Sequence, residues 1–274
     1  MLKQRIKTGL LILMITIGVL WFSHIDWFLC SAIAILSIMS ITELYTASGM
    51  KTKGKNITYI LTCLGAVLLS YIIIPGYEYF TIVLFAGVSV LFVVLMKQVK
   101  RNMDLKPWMT MLVAIAIVSF YKMMHYIRIT EGGLYYLLFA IAISMLTDVM
   151  AFCVGKCIGK HRLAPYISPK KTIEGSVGGT LLAVVVCMMV AYILQRNGLI
   201  EVHYGVLFGY LIFASVVGQF GDLAFSAVKR IVGVKDYSNL LPGHGGVLDR
   251  CDSLIFVLPF TWMFCLRKVP IVIL

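Results

Sequence analysis

The chain has 274 residues, of which 61% are apolar and only 13% charged, whereas a soluble domain of this length would carry about 25% charged residues. That balance excludes a water-soluble globular enzyme and fits a polytopic membrane protein. The net charge of +12 does not point to nucleic acid, because the basic residues sit in short loops between apolar runs, a distribution that reads as membrane topology.

A spanning helix needs about 20 mostly apolar residues. Nine runs qualify, at 8–23, 27–47, 57–74, 78–96, 108–126, 133–154, 176–195, 204–228 and 253–271. The first follows Lys3, Arg5 and Lys7 and imitates a secretory signal. No small-x-small cleavage site comes after it, and a second run opens at Trp27, so it reads as an uncleaved span. Glu43 in the second run and Lys122 in the fifth are intramembrane charges for which structural pairing and catalysis weigh equally. The sixth carries a lone carboxylate, Asp148, and Cys153-x-x-x-Cys157 straddles its end. With no second Cys/His pair at ligand spacing, those cysteines do not read as a zinc site. Arg267-Lys268 interrupts the ninth run. The expected fold is all-α, with about nine transmembrane helices and a polar funnel facing the cytoplasm. Residues 1–130 supply about five spans. Residues 131–274 supply about four and form the catalytic region, with loops 155–175 and 229–252.

Orientation follows from the loop cations. Nineteen Lys and Arg fall in the amino terminus and in the loops 48–56, 97–107, 155–175 and 229–252. The opposite side has only Arg128, Arg196, Arg267 and Lys268. The asymmetry predicts a cytoplasmic amino terminus, an external carboxy terminus and an odd number of spans. The sequon Asn56-Ile-Thr58 then faces the cytoplasm and is not expected to be glycosylated.

Two polar clusters interrupt the apolar chain, both on the lysine-rich side. In the first, Ser168-Pro-Lys170-Lys171-Thr172-x-Glu174-Gly175 precedes a helix start expected at Gly178-Gly179. Topogenic charge and a helix cap would account for Lys170 alone, but two lysines, two hydroxyls and a glutamate before a helix start look more like a phosphate pocket. In the second, Asp222, Ser226, Lys229 and Arg230 fall at i, i+4, i+7 and i+8, one helix face. An ionisable residue such as Asp222 within a span is a functional candidate by default. Lys235 follows, then Gly243-His244-Gly245-Gly246 and Asp249-Arg250-x-Asp252. Glycines let backbone approach a ligand closely, and N–H groups at a helix start favour anions. Asp249 and Asp252 share a face at the start of the ninth span, where acids also answer the helix dipole.

Ser226-x-x-Lys229-Arg230, Lys235-Asp236 and Leu241-Pro-Gly-His-Gly-Gly-x-Leu-Asp249-Arg250-x-Asp252 resemble the signature of the phosphatidate cytidylyltransferases, or CDP-diacylglycerol synthases. The block from Ile167 to Gly179 resembles a second stretch of the same family. The resemblance implies transfer of the cytidylyl group of CTP to phosphatidic acid, giving CDP-diacylglycerol and pyrophosphate for phospholipid biosynthesis. It marks Asp222 and Asp249 as ligands of Mg²⁺, places Asp148 near the metal, and makes Lys229 part of the catalytic set. It makes the Ser168–Glu174 block, Ser226, Arg230, Lys235, the glycine-histidine turn, Arg250 and Asp252 substrate- or phosphate-binding. The chain departs from the family pattern at Thr147, Val149 and Phe225, the last standing where many members have an acid, so a second cation stays open. The implied partners are CTP, phosphatidic acid and membrane lipid, with no nucleic acid. A homodimer stays open. The implied location is a bacterial cell membrane. An ion-coupled transporter using Asp148 and Asp222, or a related lipid nucleotidyltransferase or kinase, is the alternative. The lack of an internal repeat weighs against a transporter.

Overall fold

The computed structural model describes residues 2–51, 56–99, 107–265 and 271–272. The loop cations Lys53, Lys55, Lys100, Arg101, Lys106, Arg267 and Lys268, which help to orient the chain, lie outside the described residues.

Among the described residues there are nine α-helices: α1 (Leu2–Trp21), α2 (Asp26–Ala47), α3 (Asn56–Tyr71), α4 (Tyr77–Gln98), α5 (Pro107–Arg128), α6 (Gly133–Ile158), α7 (Ile173–Arg196), α8 (Tyr204–Ile231) and α9 (Leu248–Cys265). Two short antiparallel strand pairs accompany them: the hairpin of β1 (Arg162–Ala164) with β2 (Ser168–Thr172), and the long-range pair of β3 (Glu201–Val202) with β4 (Ile271–Val272). Seven helices, all but α3 and α9, are long and apolar enough to cross a membrane. The all-α polytopic expectation holds.

Three boundaries move for physical reasons. Helix α7 begins at Ile173, not near Gly178, because the Thr172 side chain caps it and accepts the Gly175 N–H at 3.1 Å. Helix α9 begins at Leu248, five residues before the expected ninth run, and takes Asp249 and Asp252 into its first turns. It stops at Cys265, and Ile271–Val272 form a strand instead of continuing the span. Loop 155–175 is mostly ordered: α6 runs to Ile158, and the β1–β2 hairpin fills the rest of the gap before α7.

The chain forms two compact units. One comprises Met1–His125 with Ala227–Asp252, the other Tyr126–Ser226 with Ser253–Leu274. In the first, α2 packs on α3, with Thr42 and Tyr45 hydroxyls meeting Tyr59 and Thr62 at 2.9 and 3.1 Å. The Lys122 ammonium donates to the Ser70 carbonyl at 2.8 Å, so this intramembrane charge ties α5 to α3. In the second unit, α6 and α7 cross on small residues. A Cβ added at Gly179 would lie 2.6 Å from Ala151 Cα, and one at Gly175 would lie 2.6 Å from the Ala151 carbonyl oxygen. Such small-residue crossings let membrane helices approach without bulky side chains between them. Thr147, Ser215 and Thr180 hydroxyls chain across this packing at 2.8 and 2.9 Å.

Candidate active site

The second unit contains a cavity of about 510 Å³, the size of a small-molecule pocket. The carboxy-terminal end of α6, the β1–β2 hairpin, the first turns of α7 and Gln219 of α8 form its walls. Five cations line it: Lys156, Lys160, Arg162, Lys170 and Lys171. Asp148 is the one acidic lining residue, and Ser168, Thr172 and Ser176 supply hydroxyls. This charge excess suits a polyanion such as a nucleoside triphosphate, because an Arg or Lys near phosphate makes short, charge-assisted hydrogen bonds.

The hairpin, which carries Arg162, Lys170 and Lys171, is held from both ends. Glu174, in the first turn of α7, accepts from the His161 ring at 2.6 Å and from the backbone N–H groups of Lys160 and His161 at 3.1 and 3.2 Å. Its carboxylate therefore faces the α6–β1 connection and is absent from the cavity lining. The Arg162 guanidinium donates to the Pro169 carbonyl across the hairpin. Asp148 accepts from the Ser253 hydroxyl of α9 at 2.8 Å.

Asp222 pairs with Lys171, itself a cavity residue, and the Ser226 hydroxyl lies 3.4 Å from the other carboxylate oxygen. The Asp222 and Lys171 side chains keep 17% and 29% of their exposure. This pair is therefore open to exchange with solvent and ligand.

Helix α8 carries Lys229 and Arg230 into the first unit. There the Lys229 ammonium donates to Asp249 Oδ1 at 2.8 Å, and the Asp249 Oδ2 accepts the N–H groups of Tyr237 and Gly246 at 2.8 and 2.9 Å. The two side chains are 9% and 2% exposed. Lys229 also lies over the Tyr237 ring, 5.5 Å from its centroid. Burial first, and then the nearby charge of Asp249, holds the Tyr237 phenol well above its usual range, so it stays neutral.

The glycine-histidine turn closes on itself. Leu241 N–H donates to the Gly245 carbonyl at 2.9 Å and His244 N–H to the Leu241 carbonyl at 2.8 Å. Gly243 and Gly245 have φ of 78° and 82°, which a residue with a Cβ adopts only under strain. The turn does hold anions, but they are the protein's own. Asp249 takes the Gly246 N–H, while Glu43 of α2 takes those of Val247 and Leu248 at 2.9 and 2.8 Å.

The structure thus gathers Asp148, Ser168, Lys170, Lys171 and Thr172 around one cavity, with Asp222 and Ser226 joined to it through Lys171. It gathers Lys229, Gly246 and Asp249 in the other unit, beside Gly243, His244 and Gly245 of the turn. Arg230 donates to the Val234 carbonyl at 3.2 Å just past the end of α8, Lys235 and Arg250 are exposed, and Asp252 is buried. Three cavity cations, Lys156, Lys160 and Arg162, entered the sequence reading only as topological charge. Their spacing toward Ser168 becomes visible as one wall only when the hairpin folds back. Glu43 stands out in the sequence as an intramembrane acid, but its two backbone partners lie 204 and 205 residues away.

A family model described as the cytidylyltransferase family matches residues 3–267. A phosphatidate cytidylyltransferase of Bacillus subtilis (strain 168) is 32% identical over 275 residues, covering 95% of this chain and 96% of that protein. Proteins of the same name from Staphylococcus aureus (strain COL) and Staphylococcus haemolyticus (strain JCSC1435) are 45% and 43% identical over 148 and 136 residues. Those matches cover 54% and 50% of this chain and span about half the length of these two relatives, 55% and 51%.

Proposed function

The chain belongs to the cytidylyltransferase family, and from that premise we propose that it transfers the cytidylyl group of CTP to phosphatidic acid, giving CDP-diacylglycerol and pyrophosphate in a bacterial cell membrane. The observation that carries the proposal is the cavity with five cations against one lining acid, set between the carboxy-terminal end of α6, the first turns of α7 and Gln219 in the middle of α8. A lipid phosphate and a nucleotide triphosphate repel each other. A site that joins them must neutralise that repulsion.

The acceptor oxygen belongs to the lipid phosphate, which is already anionic at neutral pH and needs no general base. It attacks the α-phosphorus of CTP. The bond from that phosphorus to the β-phosphate bridging oxygen breaks, and pyrophosphate leaves with the electron pair. The protein's work is positioning and charge stabilisation. Lys156, Lys160, Arg162 and Lys170 receive phosphate oxygens in the cavity. Lys171 moves from Asp222 to phosphate when the substrates arrive. By the motif, Lys229, Arg230, Lys235 and Arg250 complete the phosphate contacts.

Magnesium is part of the proposal, with Asp222 and Asp249 as its carboxylates. Mg²⁺ takes one or two carboxylates together with phosphate oxygens and water. The partly exposed Asp222, paired with a lysine that has somewhere else to go, fits that donor set. Asp249 fits it only by giving up Lys229 or a backbone donor. When bound, the ion would act as a Lewis acid on the CTP phosphates.

CTP enters from the cytoplasm and the lipid sideways from the bilayer. Single cysteines at Leu240 and Asn197, both exposed, test the orientation in intact cells lacking the native cysteines. A membrane-impermeant maleimide should label position 197 and spare 240; the opposite pattern overturns it. The activity itself is tested on purified protein with radiolabelled CTP, phosphatidic acid and Mg²⁺. Label should move into the organic phase and depend on both lipid and protein. No transfer under conditions where the protein stays folded rejects the assignment.

A further inference from the structure

Glu43 lies four residues before the end of α2 and is 5% exposed. A carboxylate placed there costs free energy unless its oxygens are hydrogen-bonded. Its oxygens accept three donors, all from the segment that bears the motif. Ser238 hydroxyl and Val247 N–H reach Oε1 at 2.7 and 2.9 Å, and Leu248 N–H reaches Oε2 at 2.8 Å. The last two are among the N–H groups that a helix start leaves without an intrahelical partner, and the partial positive charge of the α9 amino terminus adds to the attraction. Helices are commonly capped by a neighbour in sequence; α9 is capped from another helix.

Three further observations show that this contact sets the loop's position. A Cβ at Gly246 would lie 2.6 Å from Glu43 Cδ, so any side chain there would push the carboxylate away from its donors. The Gly246 N–H in turn binds Asp249, whose other oxygen binds Lys229. From the far side of the turn, the Thr8 hydroxyl of α1 donates to the Pro242 carbonyl at 3.1 Å, and His244 packs at Gly9.

We infer that Glu43 is a positioning residue: by binding Ser238, Val247 and Leu248 it fixes the Gly243–Leu248 backbone, and through Gly246 it aims Asp249 and Lys229 for the transfer reaction. The inference rests on the proposed function for its kinetic consequence but not for its geometric one. Glu43→Gln keeps the volume, yet its amide NH₂ would face a backbone N–H with no acceptor between them. Glu43→Asp keeps the charge on a shorter stem and serves as the conservative variant.

The test measures two things on detergent-solubilised full-length protein. Hydrogen–deuterium exchange reports the amides of Gly246–Leu248 without reference to activity. Steady-state transfer from CTP to phosphatidic acid reports kcat and KM. Glu43→Gln should exchange faster at Val247 and Leu248, and should lose about tenfold or more in kcat with KM for CTP within about twofold, as expected when a small displacement spoils alignment. Glu43→Asp should recover part of both. Unchanged exchange in Glu43→Gln overturns the inference, as does faster exchange with unchanged kcat, which would leave Glu43 a purely structural cap. If the wild-type protein transfers no label at all, the proposed function fails instead, and the exchange experiment still decides whether Glu43 holds the loop.

Discussion

The two polar regions of this molecule manage charge in opposite ways. Around Asp249, both carboxylates are met by donors: Lys229 and two N–H groups for Asp249, and a hydroxyl with two N–H groups for Glu43. Side-chain exposure there falls to 2% at Asp249 and 9% at Lys229. Around the cavity, five cations meet a single lining acid, and Lys156, Lys160, Arg162 and Lys170 are exposed. The first region is hydrogen-bonded internally and should hold Asp249 and Lys229 rigidly in place. The second carries surplus positive charge that an anionic ligand would balance. The partners of the charged residues, not their number, separate a region fixed in advance from one that waits for a ligand.

The sharpest way to break the contrast is to remove one member of the internally bonded region. Lys229→Ala leaves a buried carboxylate without its cation, a change that costs about 3–5 kcal/mol. Thermal unfolding in detergent should drop markedly and turnover should disappear; a protein as stable as wild type would show that this pair is not buried charge. Asp222→Asn should separate activity from stability. Its partly exposed pair with Lys171 contributes at most about 1 kcal/mol, so the fold should survive while cytidylyl transfer is nearly abolished. Combined with Asp249→Asn it should lose little further activity, because groups acting as a unit are non-additive. Near-normal turnover in folded Asp222→Asn removes it from the site.

Smaller effects belong to the cavity side. Lys170→Gln should raise KM for CTP by about tenfold, roughly 1.4 kcal/mol, while the unfolding midpoint hardly moves, since exposed substitutions stay within about 0.5 kcal/mol. A fall in stability with unchanged KM would make Lys170 structural instead. The smallest expected change is Thr172→Ala, which deletes the α7 cap and should cost about 1 kcal/mol of stability. It is read from the same unfolding curves, and no shift would mean the Gly175 N–H finds another acceptor.

The sequence shows some of this and hides the rest for identifiable reasons. Apolar runs long enough to span, and the cations between them, announce the helices because membrane insertion depends on local composition. The ninth run is misplaced because its start is decided by Glu43 and Asp249, and a cap donated from another helix leaves no mark beside Leu248. The Thr172 cap, by contrast, is local and legible from residue type alone. Lys170 and Lys171 stand out because they flank hydroxyls in one short block. Lys156 and Lys160 look like ordinary loop lysines until α6 runs on to Ile158 and the β1–β2 hairpin brings Ser168, Lys170 and Lys171 to the same cavity.

The β3–β4 pair has a consequence for tracking the chain across the bilayer. Glu201 pairs with Val272 and Val202 with Ile271, so the segment after α9 is stitched to the turn between α7 and α8. Residues 201 and 272 therefore share a compartment whatever the loop charges say. A tag reporting one reports the other, and helices α8 and α9 must together make a return trip. Any revised topology of this protein has to move both ends of that trip at once.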